Sequence, residues 1–257
     1  MGKTAQIILA TPSESVAAAG ATGLRVAYMI YRIGRGYHLF RAENARVACG
    51  GLMVVDTDGY AGGGPACVLI SEILGECRSR GFEGIVLNIG GASAKPLFPL
   101  AGELCAEAKK DGLRVYVPET MAASSADAFV LISTALSGGT LHEHIVAALG
   151  RYGVARVALE IERVRMDFTL PAKTGAGKEL TPDAFSKLLA QYQPKTFFSE
   201  ALYAHYFTYR DNKGTHFVLY DDAESIRRKL VLASRMGIDS AFVFYPHIAD
   251  LIDALKK

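Results

Sequence analysis

The sequence contains no apolar run that approaches the ~20 residues needed for a membrane-spanning helix. It also lacks a concentration of Lys and Arg, because 28 basic and 26 acidic residues nearly cancel and are mixed along the chain. The first 15 residues hold a single short apolar run, too short for the core of a signal peptide. These absences predict a cytoplasmic protein with neither a membrane segment nor a nucleic-acid partner.

Cysteine is scarce and tryptophan is absent. The four cysteines, Cys49, Cys67, Cys77 and Cys105, show no CxxC spacing, and the last two fall within helical patterns. Buried free thiols in a reducing compartment are therefore predicted, rather than disulfides or metal ligands.

Two glycine-rich segments resemble ligand loops but lack essential positions. Residues 175–178 have neither the first Gly nor the final Ser or Thr of a phosphate loop. Asp56 and Asp58 precede a glycine, but the further ligands of a calcium loop are missing, so a turn closed by an Asp side chain is predicted there. We expect no metal site and no cofactor.

Short runs rich in Val, Ile and Leu alternate with helical periodicity, which is typical of repeated βα units. Eight such runs occur, at 5–10, 24–32, 45–56, 84–89, 113–119, 128–135, 154–162 and 240–246. Eight runs favour a closed (β/α)8 TIM barrel over an open doubly wound sheet. With 257 residues, half of them hydrophobic, residues 1–257 are predicted to form one α/β domain.

One segment interrupts the alternation. Residues 201–222 show two alternating strands around the turn Asp211-Asn212-Lys213-Gly214, which predicts a β-hairpin inserted before the last helix and the eighth strand.

Residues 194–246 resemble the C-terminal part of family 18 glycoside hydrolases, in particular their spore-germination and spore-cortex-lytic branch. The hairpin ends in Tyr220-Asp221-Asp222, the helix carries Ser225-Ile226-Arg227-Arg228-Lys229, and Met236-Gly237-Ile238 leads into the eighth strand. Residues 81–85, which enter the fourth strand, match the family as well. The resemblance implies a barrel whose relatives act on glycans that contain N-acetylglucosamine, such as chitin or peptidoglycan.

The fourth strand of that family reads Asp-Gly-Ile-Asp-x-Asp-x-Glu, and its final Glu is the general acid. In the present sequence the four acidic positions are occupied by Glu83, Val86, Asn88 and Gly90. A glycine has no proton to donate, and Val with Asn cannot replace the carboxyl pair that steers the substrate's acetamido group. The resemblance therefore implies a barrel without the family's catalytic apparatus, and no catalytic residue is assigned.

Four residues are candidates for binding a ligand: Asn88, Glu119, Glu162 and Tyr245. Tyr245 stands where the family has a tryptophan that floors a sugar subsite, although it could instead close the end of the barrel. Glu119 follows the fifth strand at the mouth, or it is a first-turn acid of the next helix.

Glu160 and Glu162 alternate along the seventh strand, so both side chains face the same way. Facing inward, they would form a polar layer near the mouth. Facing outward, they would pair with Arg163 or Arg165, which is the arrangement we predict.

Three functions remain open. The favoured one is a catalytically inactive family 18-like protein that binds a peptidoglycan or chitin-like oligosaccharide or has a structural role on the spore, with a spore protein as a partner. The second is a glycoside hydrolase acting on such glycans with relocated acids, Glu119 with Glu162. The third is a protein-interaction module that presents the hairpin at 201–222. In the spore setting, the protein would be made in the cytoplasm and deposited on the spore.

Overall fold

A computed structural model describes residues 5–42, 47–60, 62, 66–88, 95–136, 139–172, 177–212 and 214–256. The strands are β1 Gln6–Pro12, β2 Arg25–Ile33, β3 Leu39–Arg41, β4 Leu52–Asp56, β5 Gly84–Asn88, β6 Arg114–Pro118, β7 Phe129–Ser133, β8 Val157–Ile161, β9 Arg165–Leu170, β10 Lys178–Glu179, β11 Phe197–Ser199, β12 Ala204–Asp211, β13 Gly214–Tyr220 and β14 Ser240–Phe244. The helices are α1 Val16–Ala21, α2 Ala66–Arg80, α3 Phe98–Lys110, α4 Leu141–Tyr152, α5 Pro182–Tyr192, α6 Ala223–Arg235, α7 Tyr245–Ile248 and α8 Ile252–Leu255.

Eight parallel strands form a closed ring in the order β1-β2-β4-β5-β6-β7-β8-β14, and β14 pairs with β1 to close it. Helices surround the ring, so the predicted (β/α)8 barrel is confirmed. The short strand β3 adds an antiparallel edge to β2, which the sequence did not predict.

The barrel strands read as continuous apolar runs because both of their faces are buried. One face fills the interior, where all eight barrel strands contribute to a single cluster: Ile8, Ala27, Leu52, Val54, Val86, Tyr116, Leu131, Ala158 and Phe242. The alternate residues, such as Leu9 and Val55, pack outward in the core that includes the helices. The alternation therefore fixes which side chains reach the two ends of the barrel.

A separate module of residues 165–220 lies between β8 and α6. Its antiparallel sheet has the order β10-β9-β13-β12-β11, and α5 covers one face through a cluster around Phe207 and Val218. The predicted hairpin is confirmed as β12 and β13, with Asp211 opposite Gly214 across the turn, and Lys213 of that turn lies outside the described residues. The insertion is larger than predicted, because β9, β10, β11 and α5 complete it.

A buried ion pair fixes the junction between the module and α6. Lys229 Nζ donates hydrogen bonds to both carboxylate oxygens of Asp221, at 2.8 and 2.7 Å, and both side chains are at most 1% exposed. Asp221 also accepts hydrogen bonds from Ser225 Oγ at 2.7 Å and from the backbone N–H of Val164 at 3.0 Å. The residues that carry the sequence resemblance therefore tie the end of the module to the segment that follows β8.

All four cysteines are free, but the prediction that they are buried is wrong for two of them. Cys77 and Cys105 are buried, whereas Cys49 and Cys67 are exposed. Burial raises the pKa of the Cys77 thiol to about 12, which makes it unreactive at neutral pH.

None of the helices in the described part of the chain has the length and apolarity of a membrane span.

Candidate functional site

The C-terminal ends of the barrel strands form a mouth, where functional residues of this fold are usually placed. Side chains two residues apart on a strand face the same way, so the residue two positions after each interior residue points inward at the mouth. On β1 and β2 these positions are occupied by Ala10 and Met29, and on the other six strands by Asp56, Asn88, Pro118, Ser133, Glu160 and Phe244.

Two of the four positions compared with the acidic motif, Val86 and Asn88, lie on the inner face of the fourth barrel strand, β5. Neither side chain has a carboxyl group. Val86 is 7% exposed within the interior cluster, and Asn88 follows it at the mouth, opposite Asp56 in register. Glu83 lies at the opposite end of the strand and pairs with Arg25. Gly90 lies outside the described residues.

The loop after β4 holds Asn88 in place. Thr57 donates from its backbone N–H and from its hydroxyl to the Asn88 carbonyl, at 3.1 and 2.9 Å. The predicted Asp turn is confirmed, because Asp56 accepts a hydrogen bond from the Asp58 N–H at 3.0 Å. These contacts engage the backbone of Asn88, and its side chain points inward at the mouth end of β5.

Glu160 and Glu162 form the polar layer at the mouth, and the predicted outward pairing with arginine is wrong. Glu160 lies opposite Ser133 in register, and Ser133 Oγ donates to Glu162 at 2.7 Å. Arg163 instead bonds Asp250 at 2.5 Å. The cause is the strand register, which puts Glu160 two residues after an interior alanine.

The pKa of Glu160 is raised above that of an ordinary glutamate. The barrel wall removes bulk water from around the carboxyl group, and the charge of Glu162 adds to the effect. The side chain still reaches solvent through the open mouth. Glu160 therefore keeps its proton to a higher pH than an exposed glutamate does.

Replacing Glu160 with Gln is expected to raise the melting temperature at pH 7 and to change it little near pH 4. A carboxyl whose folded pKa is raised contributes full stability below its unfolded pKa and loses that contribution as the pH rises through the folded pKa. Thermal unfolding at the two pH values tests this. Glu107→Gln, which removes an exposed partner of Lys110, should give no such gain at pH 7. An equal effect of Glu160→Gln at both pH values would contradict the expectation.

Glu119 is not brought together with Glu162. It starts a 3-10 turn, Glu119–Ser124, and accepts a hydrogen bond of 3.1 Å from the hydroxyl of Tyr152 at the end of α4. Pro118 has the inward position on that strand, so Glu119 points to the surrounding helices. The structure therefore shows Glu119 as an acid in the first turn of a helical segment, which was one of the two predicted possibilities. Ligand binding by Glu119 stays a prediction.

Phe244, rather than Tyr245, has the inward position at the end of the eighth barrel strand. Tyr245 is the first residue of α7, and its side chain packs against the outer core. Phe244 follows Phe242 in the interior alternation and meets the edge of His247 at 4.8 Å. The aromatic ring that points into the mouth is therefore one residue earlier than the sequence indicated, and ligand binding by Tyr245 stays a prediction.

The module carries a row of aromatic rings that the sequence did not reveal. Phe197, Tyr206 and Phe217 stack at centroid distances of 5.5 and 5.3 Å, and Phe168 lies 6.3 Å beyond Phe217. These rings occupy the sheet face opposite α5, because their neighbours along β12 and β13 contact that helix. The alternation in β12 was the available signal, but β9, which carries Phe168, is distant in sequence from the other three strands of the row.

The mouth thus combines an amide, a hydroxyl, carboxylates and an aromatic ring at one end of the barrel. Such a combination suits a polyhydroxylated ligand, whose hydroxyls need both donors and acceptors and whose ring faces are apolar. Within the described part of the chain, no three His, Cys, Asp or Glu side chains are grouped so that they could hold a metal ion.

Neither a protein-family model nor a curated protein matches the sequence. Solved structures do match it over nearly its whole length. A chitinase from Chromobacterium violaceum has a TM-score of 0.69 at 13% identity, covering 98% of both chains. The spore cortex-lytic enzyme SleL from Bacillus megaterium has a TM-score of 0.65 at 15% identity, covering 98% of the present chain and 74% of the enzyme.

A GH18 chitinase from Cycas revoluta, solved in complex with (GlcNAc)3, has a TM-score of 0.61 at 14% identity, covering 96% of the present chain and 97% of the chitinase. At these identities the likeness establishes the fold alone. The fold inferred from residues 194–246 is thereby confirmed across the chain.

Proposed function

We propose that the protein binds a glycan containing N-acetylglucosamine at the mouth of its barrel and does not hydrolyse it by family 18 chemistry. The observation that carries this proposal is the fourth barrel strand, where Val86 and Asn88 hold the inward positions that carry carboxyls in the family. The Cycas revoluta chitinase of the same fold, solved with (GlcNAc)3, supports the ligand class.

The mouth residues have distinct roles in this proposal. The amide of Asn88 both donates and accepts, so it can bond a sugar hydroxyl or an acetamido group, but it provides no acidic proton. Ser133 orients Glu162 through their 2.7 Å hydrogen bond, so that the second carboxylate oxygen can accept from the sugar. Phe244 offers a ring against which a sugar can stack.

Phe244→Ala is expected to weaken binding of chitotetraose by roughly 1 kcal/mol, about fivefold, through the lost stacking. Tyr245→Ala should leave the affinity within about twofold, because its ring packs on the outer core. Isothermal titration of both variants, after circular dichroism has shown that they are folded, compares the two positions. Weaker binding by Tyr245→Ala with no change for Phe244→Ala would return the sugar-stacking role to Tyr245.

One observation favours a second candidate, a glycoside hydrolase with relocated acids. Glu160 has a raised pKa and lies beside Glu162, and hydrolases commonly need one carboxyl that keeps its proton near another carboxylate. In this hypothesis Glu160 acts together with Glu162, whereas the sequence-based hypothesis paired Glu119 with Glu162. Release of a fluorogenic product from a chitobioside, abolished by Glu160→Gln, would establish it.

The spore cortex-lytic enzymes of the same fold support a spore setting, in which the glycan is peptidoglycan and the protein moves from the cytoplasm to the spore with a spore protein as partner. A fluorescent fusion followed through sporulation of the native host tests this proposal. Diffuse fluorescence that never concentrates on the spore would reject it.

A further inference from the structure

A cavity of about 410 Å³ opens where β2 leaves the barrel ring. It is lined by Arg32, Ile33, Gly34, Arg35 and Phe40. Phe40 belongs to β3, the edge strand that pairs with the last three residues of β2. Because β2 ends at the mouth, the cavity lies at the same end of the barrel.

The walls of this cavity are fixed by close packing and hydrogen bonds. A Cβ atom at Gly34 would lie 2.4 Å from the Phe40 ring, so the ring rests directly on the backbone and a larger residue would displace it. Glu72 of α2 accepts a hydrogen bond of 2.7 Å from the Leu39 N–H and contacts His38 Nδ1 at 2.7 Å. The edge strand is therefore anchored to the barrel helices.

Two guanidinium groups line the cavity, those of Arg32 and Arg35. Both side chains are exposed, and neither guanidinium group makes a hydrogen bond or ion pair with any residue in the described ranges. By contrast, Arg41 on the same edge strand approaches Glu76 at 3.5 Å. Guanidinium groups bind oxyanions through paired N–H donors, so two unneutralised ones in a cavity favour an anionic ligand.

The apolar wall indicates that the anion belongs to a larger molecule. Phe40 is 46% exposed, so the face of its ring is open to a ligand beside the two charges. An aromatic face next to cationic donors matches a sugar ring that carries a carboxylate, because the ring stacks while its oxyanion meets the guanidinium groups.

The cavity is continuous with the mouth. Phe40, Arg32, Asp56 and Asn88 are successive register partners across β3, β2, β4 and β5, so they form one row. Strands lie about 4.8 Å apart, which makes the row about 14 Å long. A ligand of several rings would therefore touch both ends, whereas a single ring would not.

We propose that the cavity of Arg32, Arg35 and Phe40 binds a carboxylate-bearing ring of the glycan whose neutral rings occupy the mouth. This inference rests on the proposed function and narrows its ligand to an acidic oligosaccharide. The two guanidinium groups hold the carboxylate, and Phe40 holds the ring face.

The test compares two tetrasaccharides of equal length by isothermal titration at low ionic strength, where exposed charges are least screened. One is neutral chitotetraose, and the other alternates N-acetylglucosamine with N-acetylmuramic acid, whose lactyl groups carry carboxylates. We expect the wild-type protein to bind the acidic one about tenfold more tightly, and R32Q/R35Q to lose that preference while its affinity for chitotetraose stays within about twofold.

Arg41→Gln is the matched control, because Arg41 lies one residue from Phe40 but pairs with Glu76, and it should keep the preference. Equal affinity of the wild-type protein for both sugars overturns this inference and leaves the proposed function standing. A preference that survives in R32Q/R35Q also overturns it. Binding of neither sugar overturns the proposed function together with this inference.

Discussion

Replacement of Lys229 by Met is expected to lower the free energy of unfolding by about 3–5 kcal/mol, the usual cost of leaving one member of a buried ion pair uncompensated. The Asp221 carboxylate would stay at the junction between the module and α6 without its cationic partner. Its remaining donors, Ser225 Oγ and the Val164 N–H, are neutral groups. Urea unfolding of the variant and the wild-type protein measures the difference.

Two controls show that burial is the cause. Lys110→Met removes an exposed partner of Glu107 and should cost less than about 1 kcal/mol. The double variant K229M/D221L removes both charges, so it should recover part of the loss, although the Val164 N–H is left without its acceptor. A cost below about 1 kcal/mol for K229M would mean that the pair does not secure the junction.

Gly90→Glu is expected to leave the protein without measurable hydrolysis of a fluorogenic chitobioside. A well-placed general acid is typically worth about 10²–10⁴-fold in rate, but only when its pKa and the nucleophile are also in place. Val86 and Asn88 hold the neighbouring inward positions, so no carboxyl would tune the restored acid or steer the acetamido group.

The triple variant V86D/N88D/G90E places an acid at each of the three motif positions that lack one, and it should gain at most trace activity. Val86 lies among Leu52, Val54 and Tyr116, so an acid there enters an apolar interior and costs stability. Robust turnover by the single variant G90E would show that the rest of the mouth is already built for hydrolysis.

The barrel could be predicted because each of its strands is buried on both faces and therefore reads as an uninterrupted apolar run. The hairpin was also predictable, since its turn is local in sequence. The rest of the module was not: β11 has only three residues, and β9 joins the hairpin only by pairing with β13, which is distant in sequence.

The site was harder to predict than the fold because its residues depend on where a strand ends. A single-residue difference decides whether Phe244 or Tyr245 points into the mouth, and the helix that begins at Tyr245 is marked only by Pro246. Similarly, Glu119 was placed at the mouth by proximity in sequence, but its strand turns it toward Tyr152. The arginine-lined cavity required the pairing of β2 with β3, which no local pattern indicated.

The most direct test of the account is a titration of the wild-type protein with chitotetraose, followed by analysis of the sugar recovered from the same sample. Saturable binding with the tetrasaccharide recovered intact is the predicted result. The absence of binding would contradict the proposed function. Release of chitobiose that disappears in Glu160→Gln would show that the protein is a hydrolase whose acid is Glu160 on the seventh barrel strand.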